Sequence, residues 1–164
     1  MIATVMTLGI GIGLSPFGRA VATTVPLRTL VGLQAFRFPL ELVMHRAGAL
    51  GIMPPELSYS GYNFDIVTGI GALLLWLLMR ARLPVPAWAV WAWNVWGICC
   101  LGVILAIAIA TSPMVRYFGD APPHVNTWVL FFPYVWLPAV LVTIAVAGHI
   151  VVTRRLLIEN RREP

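Results

Sequence analysis

The sequence contains no lysine: all 11 of its basic side chains are arginine. Charge of either sign is scarce, with charged residues making up 10% of the 164 positions against 60% hydrophobic. Together with a mean hydropathy of +0.88, this balance excludes an ordinary water-soluble domain and points to an integral membrane protein. The exclusive use of arginine carries no mechanism of its own. The two cysteines, Cys99 and Cys100, are adjacent within an apolar run, which excludes a disulfide framework or a spaced zinc motif and leaves them as small core residues. No phosphate-cradling glycine loop follows a strand, no serine elbow occurs, and neither HExxH nor CxxC is present, so the familiar soluble catalytic signatures are missing. Internal repeats, low-complexity stretches and domain linkers are also missing, and residues 1–164 read as a single transmembrane domain. A net charge of +5 would suggest nucleic acid in a soluble chain. Here most arginines fall in short loops, where they set topology, so the expected surroundings are a lipid bilayer and no nucleic acid partner is expected.

What is present is long apolar sequence. A helix needs about 20 residues to cross the hydrocarbon core, and the chain offers spans at about 27–50, 63–80, 87–110 and 127–153. Pro26 suits the start of the first of these, and "TSP" at 111–113 closes the third. The opening run 1–14 is short for a crossing, but it lacks the positive region of a signal peptide, so it reads as a retained first helix. Five spans with an outside N-terminus put Arg19, Arg28, Arg80, Arg82, Arg154, Arg155, Arg161 and Arg162 inside and only Arg46 and Arg116 outside, the bias expected of a bacterial cytoplasmic membrane protein. The expected fold is therefore an all-α bundle of about five transmembrane helices, N-terminus out and C-terminus in.

Within the second span, "LQAFRFPLELVMHR" places Gln34, Arg37, Glu41 and His45 inside an arc of roughly 80° on one helix face. A charged side chain at the bilayer centre costs about 2.5–3.5 kcal/mol on insertion scales, so this stripe must face protein or trapped solvent. The spacing of Arg37 and Glu41 predicts an ion pair. Pro39 between them frees the carbonyl of Ala35 and predicts a kink, a feature found beside ligand and ion sites. The competing bland reading is a buried pair that only orients helices.

Partners for the stripe are expected from other helices. Asn63 and Asp65 open the third span near the depth of His45, where they also suit helix capping. Asn94 lies about 12 Å into the next span and is placed to bond the stripe. Asn126 reads as the cap of the last span, and Trp88, Trp91, Trp93 and Trp96 as an interfacial aromatic belt. His149, four residues before Thr153, reads as an interfacial histidine too distant from His45 to share a haem. His45, Asp65 and His124 are weak metal candidates, and the sequence assigns no cofactor.

These readings lead to a non-catalytic membrane component that binds a partner, ion or small molecule at Gln34, Arg37, Glu41, His45, Asn63, Asp65 and Asn94, as a subunit of a larger complex or by self-association. Two alternatives stay open. One is a proton-linked transporter or channel with Glu41 as carrier; the other is a membrane enzyme using acid, base or metal chemistry at the outer face.

Overall fold

The computed structural model describes residues 2–160; Met1, Arg161 and Arg162 lie outside the described residues, so their expected placement has no structural counterpart. Every regular element among them is helical: α1 (Ile2–Leu14), α2 (Pro16–Thr24), α3 (Leu27–Leu33), α4 (Arg37–Ala49), α5 (Asp65–Arg80), α6 (Ala87–Ala110) and α7 (Thr143–Asn160), with short 3₁₀ or π turns between some of them. By length and composition, two helices suffice to cross a membrane, Ala87–Ala110 and the continuous run Leu137–Asn160, or three if the bent pair α1 and α2 counts as one span.

The bend between α1 and α2 is 56° and has a local cause. Pro16 has no N–H to give the carbonyl of Ile12, and the Ser15 hydroxyl donates to that carbonyl instead, at 2.7 Å. The same hydroxyl then accepts from Gly18 N at 3.1 Å and caps α2. Arg154 also reaches back to the break, donating to the carbonyls of Gly13 and Ser15 at 2.7 and 3.0 Å. Two arginines expected only to set topology thus have structural bonds, since Arg155 likewise donates to Ala22 O and Thr23 O.

The expected span 27–50 is one helical path whose pitch changes at a 3₁₀ turn, Gln34–Phe36. That turn contains Ala35, the residue whose carbonyl Pro39 leaves without an α-helical donor, so the change of pitch falls where proline chemistry puts it. Helices α5 and α6 match expectation within two residues. The last helix does not. Residues 127–136 form only tight turns around Pro133, and the helix begins as a π turn at Leu137–Val142 before continuing through Asn160. The expected span 127–153 is therefore displaced toward the C-terminus, and Asn126 caps nothing in it: its N–H bonds Thr111 O at 2.7 Å instead.

Side-chain neighbours fix the helix directions. Gly9 and Gly13 of α1 face Val146 and Ile150 of α7, so these two run parallel. Gly32 meets Trp76 while Gly69 meets the backbone at Phe38, so the α3–α4 path and α5 run antiparallel. Gly71 meets Trp93 and Gly97 meets Thr68, so α5 and α6 run antiparallel; Gly97 meets His149 while Asn94 bonds Thr153, so α6 and α7 do as well.

The interior has two apolar regions with a polar layer between them. Leu30, Val31, Ala72, Val90, Trp93, Val151 and Val152 form one; Met44, Ala47, Leu57, Ile107 and Trp128, with the neighbouring cluster of Leu101, Ala145 and Val146, form the other. Following each helix from one region to the other crosses Gln34, Arg37 and Glu41, or Asp65 and Thr68, or Asn94, or His149, all buried. The outer faces are the reverse, with Leu8, Leu14, Val43, Leu74, Val95 and Ile109 among many exposed apolar side chains.

Candidate functional site

The polar layer centres on Arg37, whose side chain is 2% exposed. Its Nε donates to Asp65 Oδ2 at 2.5 Å, and its Nη1 donates to His149 Nε2 at 2.7 Å. The expected pairing with Glu41 is corrected here. A neighbour four residues on lies along the same helix, whereas Asp65 and His149 lie on facing helices, in the direction a buried Arg37 side chain must take. Gly69, one turn beyond Asp65, allows this approach, because a Cβ there would overlap the backbone of Arg37 and Phe38.

Guanidinium has no acceptor, so His149 Nε2 must offer its lone pair and the ring proton must sit on Nδ1. Asn94 supplies the matching acceptor, with Oδ1 2.9 Å from Nδ1. The Asn94 amide nitrogen donates onward to Thr153 Oγ1 at 2.8 Å, and Thr153 donates to His149 O at 2.9 Å. Trp93 closes the neighbourhood, its ring centroid 5.4 Å from that of His149 and its Nε1 donating to Thr68 O at 2.9 Å. Gly97 makes room for the imidazole, which a Cβ would overlap.

His149 is thus a central residue and not an interfacial one, and Trp93 is core and not belt. Displacement of the last helix explains the first correction: His149 lies near the midpoint of Leu137–Asn160, whereas a helix ending at 153 would place it at the rim. The 149/153 spacing, one helical turn, was the available signal. For Trp93, Trp88 is 72% exposed and Trp96 45% exposed, so the four tryptophans divide between outer and inner faces.

Glu41 occupies the other end of the layer. Asn63 donates from Nδ2 to Glu41 Oε1 and to Leu57 O, both at 2.9 Å. Its Oδ1 accepts from Asp65 N at 3.0 Å, a turn just ahead of the helix; the N-cap itself is Phe64, with no side-chain cap bond, so the expected cap falls one residue later. Gln34 is buried beside Gly148. His45 is not brought in: it is half-buried, stacks on Tyr59 with centroids 4.4 Å apart and lies 3.2 Å from Ser60 Oγ. His124 pairs with Glu56 at 2.6 Å, a residue the sequence did not single out. The metal candidates His45, Asp65 and His124 therefore have three separate partners. Among the described residues, no three His, Cys, Asp or Glu side chains converge to hold a metal ion.

A partly open cavity of about 120 Å³ adjoins the Glu41 end. Leu101, Ile104, Leu105, Leu137, Leu141 and Val142 contribute to its apolar wall, and Arg37, Glu41, Asn63, Asp65, Asn126 and Trp128 to its polar end. Five atoms on these polar residues have no hydrogen-bond partner among the described residues: Arg37 Nη2, Glu41 Oε2, Asp65 Oδ1, Asn126 Oδ1 and Trp128 Nε1. Buried polar atoms are ordinarily paired, so the part of the layer beside the cavity keeps hydrogen-bonding capacity that is unused among the described residues.

No curated protein and no solved structure is significantly similar to this chain. Residues 1–157 match the family described as a domain of unknown function, DUF8737, and the chain belongs to that family.

Proposed function

We propose that the protein is a non-catalytic component of a bacterial cytoplasmic membrane that holds a small molecule in the cavity between α4, α6 and the last helix. One observation carries this reading: residues bearing five unpartnered polar atoms converge on an otherwise apolar cavity. Burial of Arg37, Asp65 and His149 beneath apolar outer faces supports a lipid environment, because such groups turn inward when the solvent is hydrocarbon. Alternation of helix direction supports five crossings, with α1–α2 and α3–α4 each forming one bent crossing and the short α5 a thinned one. The reading places the N-terminus outside and the C-terminus inside, and its test is an alkaline phosphatase fusion: activity is expected after residue 118 and absent after residue 158.

Native mass spectrometry of the purified protein tests binding. A small-molecule adduct is expected on the wild type and should be lost when Ala108, in the cavity wall, is changed to Phe. Retention of the adduct in a folded Ala108→Phe variant would overturn the assignment of the cavity. Copurification of another subunit would add the complex the small size suggests.

A second reading, proton-linked transport, is favoured by the carboxyl oxygen of Glu41 that has no partner among the described residues. In that case Glu41→Gln abolishes proton-dependent flux. His45 has no place in such a relay, being bonded to Ser60. No observation favours an enzyme.

A further inference from the structure

At the end of the bundle proposed above to face inward, arginine is abundant and carboxylate is scarce. Arg19, Arg28, Arg80, Arg82, Arg154 and Arg155 lie there, and among the described residues the matching acid is Glu159, which Arg155 holds at 2.7 Å. Arg154 and Arg155 are further engaged by backbone carbonyls. No described carboxylate pairs with Arg28 or Arg80.

The packing of α3 on α5 brings these two arginines together. Gly32 meets Trp76, and Gly69 meets the backbone at Phe38. One helical turn outward from the Gly32–Trp76 contact, this antiparallel register sets Arg28 opposite Arg80. Arg80 Cζ lies over the Trp76 ring, 5.5 Å from its centroid, which keeps the guanidinium close to the seam. Arg28 is exposed and Arg80 half-buried. The bias of arginine toward the inner face accounts for the end these residues occupy, but not for their meeting across one seam, where like charges repel. An anion bound between them removes the repulsion.

We infer that Arg28 and Arg80 bind the phosphate of an anionic membrane phospholipid. A guanidinium fork matches two phosphate oxygens, and basic side chains between helices at the inner face are an arrangement that recognises anionic head groups. What lies deeper on the same helices favours a lipid over a soluble anion: Leu33 is 62% exposed and Leu74 56% exposed, so an acyl chain has apolar surface on α3 and α5 beneath its head group. The inference rests on the membrane placement proposed above and is independent of the cavity.

Native mass spectrometry of the protein in dodecyl maltoside micelles, titrated with dioleoyl phosphatidylglycerol or dioleoyl phosphatidylcholine, tests it. The first phosphatidylglycerol is expected to bind at least about tenfold more tightly than the first phosphatidylcholine. Arg28→Gln combined with Arg80→Gln should bring the two lipids within about twofold of each other. Arg28→Gln alone, at an exposed position, should lower the preference by at least about threefold, and it serves if the double variant does not fold. Arg19→Gln removes a charge of the same end on α2 and should leave the wild-type preference within about twofold. Equal affinity for the two lipids in the wild type, or an undiminished preference in the Arg28 variants, overturns the site. A loss in Arg19→Gln as large as in the double variant overturns the pair, since net charge alone then sets the preference. Displacement of the lipid by inorganic phosphate at matched ionic strength overturns the choice of a lipid over a free anion. Ala108→Phe, which alters the cavity, should leave the preference intact, and loss there would move the lipid to the cavity and overturn the seam. The alkaline phosphatase fusions judge the membrane placement separately.

Discussion

His149 and Glu41 are each 1% exposed, belong to one polar layer and differ in what their neighbours leave them free to do. Both ring nitrogens of His149 are engaged, by Arg37 and Asn94, and the contacts link α4, α6 and α7. Glu41 has one oxygen on Asn63 and a second with no partner among the described residues, beside a cavity. Satisfied polar groups of the first kind fix how helices meet, because every alternative arrangement leaves a donor or acceptor unpaired in an apolar interior. Polar groups of the second kind keep a bonding capacity that the described residues leave unused. The same residue classes in one layer therefore divide into a part whose hydrogen bonds are complete and a part whose hydrogen bonds are not.

Removing the shared member, Arg37, should break this division most severely. Arg37→Leu leaves Asp65 buried without its cation, and we expect a loss of about 3–5 kcal/mol, measured as unfolding in mixed micelles. The double change Arg37→Leu with Asp65→Leu should recover much of that loss, since an apolar pair of similar volume replaces the ion pair. A smaller effect is expected at Gly97, where a methyl group would overlap the His149 ring. Gly97→Ala should cost about 1–3 kcal/mol through the contact of α6 with α7, and the small-molecule adduct should persist on the fraction that remains folded. The smallest effect is expected at His45. His45→Ala should change stability by less than about 0.5 kcal/mol, because that side chain is half-buried and bonds only Ser60. A large effect there would extend the layer toward the loop and blur the contrast with Glu41.

Much of the layer was legible in the sequence, and what was missed has specific causes. Gln34, Arg37 and Glu41 share one face because helical periodicity requires it, and helix α6 ends where "TSP" stops it. Asn94 and Asn63 were expected near the stripe and are joined to it. The partner of Arg37 was misread because sequence spacing reports neighbours along a helix, while an inward-facing guanidinium takes its partners from facing helices. His149 was misplaced by one error of helix limits: Pro133 and Pro138 delay the last helix to Leu137, which moves the histidine from the rim to the middle. His45 continues the stripe by periodicity, yet the loop carrying Tyr59 and Ser60 claims it, and no pattern in α4 signals that. The cavity had no signal in the sequence, since it arises from five helical segments meeting around the turns at 127–136.

The division of the layer is tested most directly by measuring unfolding free energy and the small-molecule adduct by native mass spectrometry together in His149→Ala and Glu41→Gln. Our account predicts opposite patterns. His149→Ala should lose about 2–3 kcal/mol of stability, through two broken hydrogen bonds and a cavity in the core, while its folded fraction keeps the small-molecule adduct. Glu41→Gln should lose less than about 1 kcal/mol, because Asn63 keeps its acceptor, and should weaken the small-molecule adduct. Equal losses of stability in the two variants, with binding unchanged in both, would contradict it.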